Sequence, residues 1–163
     1  ASDVYKRQAL IQQLVDIAQD ESRIIAEDLG IIPQEVIDLR LKYNLRGMAI
    51  LQFGFDEDFQ ERPHHPDNIN DMQVVYTGTH DNNTLLGWWQ SADDEVITNV
   101  RSIIGDSSDV VGSLIEIARN CLSPLCIIPL QDILRLDTSG RMNVPGVEQG
   151  NWQWRFDWDD LDL

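Results

Sequence analysis

The sequence predicts an α/β fold in which parallel strands are covered by helices. Three observations predict it. Short apolar runs alternate with helical stretches along the chain, the pattern of a parallel sheet built through helical crossovers. The runs are continuously apolar rather than alternating, as strands buried on both faces are. Finally, each run ends in polar or charged residues: Glu27-Asp28, Gln52-Phe53, His80-Asp81 and Gln131-Asp132. In parallel α/β folds the chemistry sits just beyond the C-terminal ends of the strands.

The elements follow in order. Over residues 9–20, Leu10, Ile11, Leu14, Val15, Ile17 and Ala18 recur at helical spacing. Residues 23–26 (RIIA) read as a buried strand that stops at Glu27-Asp28, with Gly30 turning the chain. Pro33 opens a helix to about Lys42, with Val36, Ile37 and Leu39 inward. Residues 47–53 (GMAILQF) form a second strand. A long polar loop over 56–71 holds Pro63, His64, His65 and Pro66, and long loops in compact domains are often functional. A third strand over 72–76 ends at Thr77-Gly78-Thr79-His80-Asp81. Helices are expected near 84–90, 94–104 and 109–122, a fourth strand over 125–128 closed by Pro129, and a short helix from Gln131. A loop over 141–150 leads to an aromatic tail with Trp152, Trp154, Phe156 and Trp158.

Composition bounds the partners. Lys and Arg number 12 against 28 Asp and Glu, a net charge of −16. Nucleic acid and anionic membranes reward basic clusters, so neither is expected as a partner. No apolar run reaches the length of a membrane span and no signal-peptide pattern is present. Cys121 and Cys126 lie in apolar surroundings and read as two buried thiols rather than a disulfide framework. A cytoplasmic setting follows. Residues 1–8 (ASDVYKRQ) show no pattern continuing into the helix and are read as a non-native leader, leaving 9–163 as the domain.

Glu27 and Asp81 are the candidate catalytic carboxylates. Glu27 directly follows an apolar strand, so its carboxylate is expected to be partly desolvated, and desolvation favours the protonated form a general acid needs. An exposed loop glutamate is the plainer alternative. Asp81 follows another strand, beside His80 and after Thr77-Gly78-Thr79, where small residues let backbone approach a ligand. An Asx turn opening the next helix is its plainer alternative. His64, His65, Asp67, His80 and Asp81 are possible metal ligands, yet no close metal-binding spacing joins them. No glycine-rich phosphate loop occurs, and no cofactor is expected. Phe53, Trp88, Trp89, Trp152, Trp154 and Trp158 can stack on sugar rings or serve as packing anchors.

The runs IIAEDLGIIPQEV, GMAILQFGF, VVYTGTHDNNT, GWW and RMNVPGVEQGNWQWR closely resemble glycoside hydrolase family 77, the amylomaltases and plastid disproportionating enzymes. The resemblance covers about 9–158, and five motifs in one order make it specific. It implies the later half of a (β/α)8 TIM barrel, and 4-α-glucanotransferase activity on α-1,4-glucans, maltooligosaccharides or starch. It also implies roles: Glu27 as general acid/base and Asp81 as the transition-state-stabilising aspartate. Asp28, Phe53, His80 and Asn143 are implied as substrate-binding residues.

One departure matters. The family's nucleophilic aspartate sits in a run resembling Arg-Ile-Asp-His-Phe-Arg-Gly, and nothing before Arg23 carries it. The resemblance therefore implies a C-terminal fragment, inactive alone. Two other readings stay open at this point: a carbohydrate-binding fragment without catalysis, and a metal-dependent hydrolase on a similar barrel.

Overall fold

The computed structural model describes residues 2–160. Its centre is a three-stranded parallel sheet in the order β1 (Gly47–Ile50), β2 (Gln73–Tyr76), β3 (Cys126–Ile127). Gly47 pairs with Gln73 and Ile50 with Tyr76 across β1 and β2, while Val75 pairs with Cys126 across β2 and β3. Spatial order equals chain order, as in consecutive strands of a (β/α)8 barrel; a doubly wound sheet would reverse direction partway.

The described residues also form six α-helices: α1 (Ser2–Ala18), α2 (Gln34–Lys42), α3 (Leu85–Gln90), α4 (Asp94–Ile104), α5 (Val110–Asn120) and α6 (Leu130–Ile133). Their starts are legible chemically. Thr84, Asp93 and Asp109 each accept a hydrogen bond from a backbone N–H three residues on, Gly87, Val96 and Gly112, which satisfies otherwise orphaned donors. Pro33 precedes α2 with the extended backbone expected of it. Helix α1 begins at Ser2 and crosses residue 8 without a break.

The core lies between the sheet and α3, α4 and α5. Ala49, Leu51, Phe55, Val75, Leu85, Val100 and Leu114 are buried there, and Trp88 and Trp89 pack against them half-buried. Each buried Val or Leu contributes about 1.5–3 kcal/mol of transfer free energy. Phe55 is fully buried and its ring centroid lies 5.9 Å from that of Trp88.

Two strand expectations need correction. Residues 23–26 do not form a strand: Glu21–Arg23 is a 3₁₀ turn, and only one parallel bridge follows, Ile25 to Arg46, with Ala26 N–H donating to the Arg46 carbonyl. A strand needs more ladder than one bridge, and among the described residues nothing pairs with the outer edge of this segment, so Ile25 stays 36% exposed. The second run stops being a strand at Ile50. Leu51–Gly54 coils into a 3₁₀ turn that buries Leu51 and aims the Gln52 amide at the Asn83 carbonyl, 3.0 Å away. Gly54 is required there, since a Cβ would lie 2.5 Å from the His64 carbonyl oxygen.

Candidate active site

Four of the sequence-predicted residues come together. Glu27, Phe53, His80 and Asp81 line one cleft of about 720 Å³ beyond the C-terminal ends of the strands, with Met48, Tyr76 and Ile127 as its apolar floor. Each is delivered by the segment after a strand or bridge. Glu27 follows the Ile25 bridge, Phe53 lies in the turn after β1, and His80-Asp81 lie in the loop after β2.

Asp81 is the better supported acid. The Asn143 side-chain amide donates to Asp81 Oδ1 at 2.6 Å, and His80 Nε2 lies 3.3 Å from the same oxygen. Arg141 donates to the Asp81 carbonyl at 2.7 Å and to the Asn143 carbonyl at 2.8 Å. Asn143 N–H donates to the His80 carbonyl. These bonds tie the loop after β2 to the segment carrying Arg141 and Asn143, so Asn143 enters the site by holding Asp81. Within the loop, Asn82 Oδ1 accepts from both Thr79 N–H and the Thr79 hydroxyl, each at 2.8 Å. Asp81 makes no helix cap; Thr84 does that.

Trp152 closes the other side of His80, with ring centroids 5.0 Å apart. Its backbone is left-handed, φ 62°, and its N–H donates to the Met142 carbonyl at 2.8 Å. A bulky residue held there stores strain, so this contact is set by the fold rather than by local preference. Sequence reasoning placed Trp152 among six aromatics without separating it from the rest; a positive φ leaves no mark in composition.

Glu27 is exposed, contrary to the desolvation expected of it. The cause is the single bridge before it: with one neighbour instead of two strands, no wall rises on its outer side among the described residues. It accepts no hydrogen bond there. Asp28 turns away from the cleft. Its Oδ1 accepts the Met48 N–H at 2.8 Å and its Oδ2 lies 3.1 Å from Arg40 Nε, with both side chains largely buried. That second contact is ionic rather than an aligned hydrogen bond, because the buried Nε–H finds no well-oriented acceptor. Gly47 makes room, since a Cβ there would fall 2.2 Å from Asp28 Oδ2.

The other histidines serve local structure. His64 Nδ1 accepts the Ile50 N–H at 3.3 Å and its ring meets Phe53 edge-on at 5.6 Å. Burial holds His64 below the ordinary histidine pKa, against an opposing pull from Asp28. His65 is buried and accepts the Asp67 N–H. Neither joins His80 and Asp81. Cys121 and Cys126 are free and half-buried; burial pushes the Cys121 thiol up to about 11, which makes it a poor nucleophile.

The family described as 4-alpha-glucanotransferase, glycoside hydrolase family 77, matches residues 3–160. The chloroplastic/amyloplastic 4-alpha-glucanotransferase of Solanum tuberosum is 45% identical over 135 residues, 82% of this chain and 23% of that protein. The Thermus thermophilus 4-alpha-glucanotransferase is 39% identical over 145 residues, 83% of this chain and 29% of that protein. Among solved structures, the amylomaltase from Streptococcus agalactiae in complex with acarbose superposes with a TM-score of 0.80 at 29% identity, covering 84% of this chain and 28% of that one. The chain thus spans about a quarter of the length of these relatives. With nearly every described residue inside the match, the chain belongs to glycoside hydrolase family 77, the 4-alpha-glucanotransferases.

Proposed function

We propose that residues 9–163 are the C-terminal part of one TIM-barrel catalytic domain that transfers α-1,4-glucan segments between maltooligosaccharides or starch chains with retention. Glu27 is the general acid/base and Asp81 the transition-state stabiliser. His80, Asn143 and Phe53 are the substrate-binding residues, with Asn143 acting in part by fixing Asp81; Asp28, expected among them, is turned onto Arg40 and Met48 and acts by anchoring the Glu27 segment. The observation carrying this reading is the convergence of Glu27, Phe53, His80 and Asp81 on one cleft at the strand ends.

The chemistry follows from the parts. A retaining transfer uses two carboxyl groups about 5–5.5 Å apart, one as nucleophile and one as acid/base. The nucleophilic aspartate comes from residues other than these 163. As it attacks the anomeric carbon, Glu27 gives its proton to the departing glycosidic oxygen. In the second half, Glu27 as carboxylate takes the proton of an acceptor 4-hydroxyl, which displaces the enzyme carboxylate and restores the original configuration. Asp81, oriented by Asn143, accepts ring-hydroxyl hydrogen bonds and places negative charge near the oxocarbenium-like transition state. Phe53, 36% exposed at the cleft wall, offers a face for a glucosyl ring. A filled acceptor site keeps water out and favours transfer over hydrolysis. A cytoplasmic setting belongs to the same proposal; no helix among the described residues is long and apolar enough to cross a membrane.

The test replaces the matching segment of the Solanum tuberosum enzyme with residues 3–160. The chimera is assayed for glucose release from maltotriose, and Glu27→Gln in that setting lowers kcat by about 10²–10⁴-fold with the fold intact. A Glu27→Gln chimera that keeps most of its activity sinks the assignment. The 163-residue chain alone shows no turnover.

A further inference from the structure

Both ends of the loop that carries His80 and Asp81 converge on one buried side chain. Thr77, at the close of β2, donates its hydroxyl to Asp132 Oδ2 at 2.6 Å. Leu85, the first residue of α3, donates its backbone N–H to Asp132 Oδ1 at 2.7 Å. Asp132 is 1% exposed, Thr77 and Leu85 are fully buried, and Asp132 sits in α6, directly beyond β3. Neither hydroxyl nor N–H has another acceptor in that interior, and isolated buried carboxylates are costly. Burial pushes the Asp132 carboxyl above the usual carboxylate range, and the bonds from Leu85 and Thr77 pull it partly back. A hydrophobic residue would pack there at less expense, so what the acid supplies is two acceptor oxygens at a fixed separation.

We propose that Asp132 is a positioning residue that clamps the two ends of the loop 77–85 with its two oxygens, and so sets where His80 and Asp81 stand in the cleft. Its consequence for catalysis rests on the glucanotransferase reading of Asp81; the clamp itself does not. The rest of the loop is held from elsewhere, by Gln52 on the Asn83 carbonyl and by Arg141 and Asn143 on Asp81. Those contacts grip the loop's body and tip, whereas among the described residues Asp132 is the side chain that bonds both of its ends.

Site-resolved amide exchange on the 163-residue chain tests it. Reporters are the amides of Thr79, Asn82 and Asn143, which bond within or onto the loop, against Val75, whose amide bonds to Leu125 across the sheet. Asp132→Ala raises exchange at the three loop reporters by about tenfold or more relative to Val75. Asp132→Asn keeps an acceptor for Leu85 and an amide facing Thr77, and returns the reporters to within about threefold of wild type. Should Asp132→Ala not fold, Thr77→Val removes one bond of the clamp and gives the same pattern at smaller amplitude. Equal rises at Val75 and the loop, or no rise at the loop, overturn the proposal. In the active chimera, kcat falls about tenfold in Asp132→Ala and recovers in Asp132→Asn; a loosened loop with unchanged kcat removes Asp132 from the catalytic account. An inactive parent chimera sinks the glucanotransferase reading and leaves the exchange result to decide on the clamp.

Discussion

Asp81 is gripped through its carboxylate by Asn143, through its carbonyl by Arg141, and flanked by a histidine that Trp152 packs against. Glu27, across the same cleft, follows a single bridge and has no hydrogen-bonding partner among the described residues. The two acids thus differ in where their support lies. Asp81 is positioned by residues within this chain, up to 62 positions away. What this chain offers Glu27 is its neighbour, since Asp28 is locked to Arg40 and Met48. The difference suits the roles proposed for them: a stabilising carboxylate needs a fixed place, whereas an acid/base must exchange a proton.

The contrast is open to attack from its strongest joint downward. Asp28→Ala leaves the Arg40 guanidinium buried without its counter-charge and frees the Met48 N–H, at an expected cost of about 3–5 kcal/mol. Denaturant unfolding of the 163-residue chain measures it; a loss under about 1 kcal/mol would mean that Asp28 does not anchor the Glu27 segment. Next, Asn143→Ala in the chimera removes the bond to Asp81 and lowers kcat about tenfold, with KM changing far less. If KM rises instead and kcat holds, Asn143 grips substrate rather than Asp81.

The smallest effect is a pH dependence behind Phe53. His64 is held below the ordinary histidine value by burial, so its neutral form is favoured in the fold. A depressed pKa contributes stability that is complete above the unfolded value of about 6.5 and is lost as pH falls through the folded value. Thermal melts should therefore show a falling Tm as pH drops below about 6.5, and His64→Gln should flatten that part of the slope. An unchanged slope in the variant would assign the loss to other groups.

Much of this was legible in the sequence, for identifiable reasons. Strands β1 and β2 and helices α4 and α5 announce themselves because burial on both faces, or on one stripe, dictates the residue pattern. The GTHDN and AEDLG runs stand out as candidates because acids, with a histidine in the first, follow apolar runs. Three features left no such trace. The exposure of Glu27 depends on how many strands flank it, which a local run does not encode. Asp28 reads as one of a pair of loop acids, and only the fold shows it turned onto Arg40. The Thr77–Asp132 bond joins positions 55 apart, and periodicity is blind at that range. The expected helix over 9–20 also begins earlier, at Ser2, and ends at Ala18.

The bonds holding Asp81 also fix a schedule. Its partners Arg141 and Asn143 lie 60 and 62 positions later in the chain. A ribosome adding about 5–20 residues per second makes them roughly 3–12 s after Asp81 itself. For that interval Asp81 has neither of the side chains that hold it. Premature arrest between Asp81 and Arg141 would yield a chain with the acidic motif present and its bearing lost.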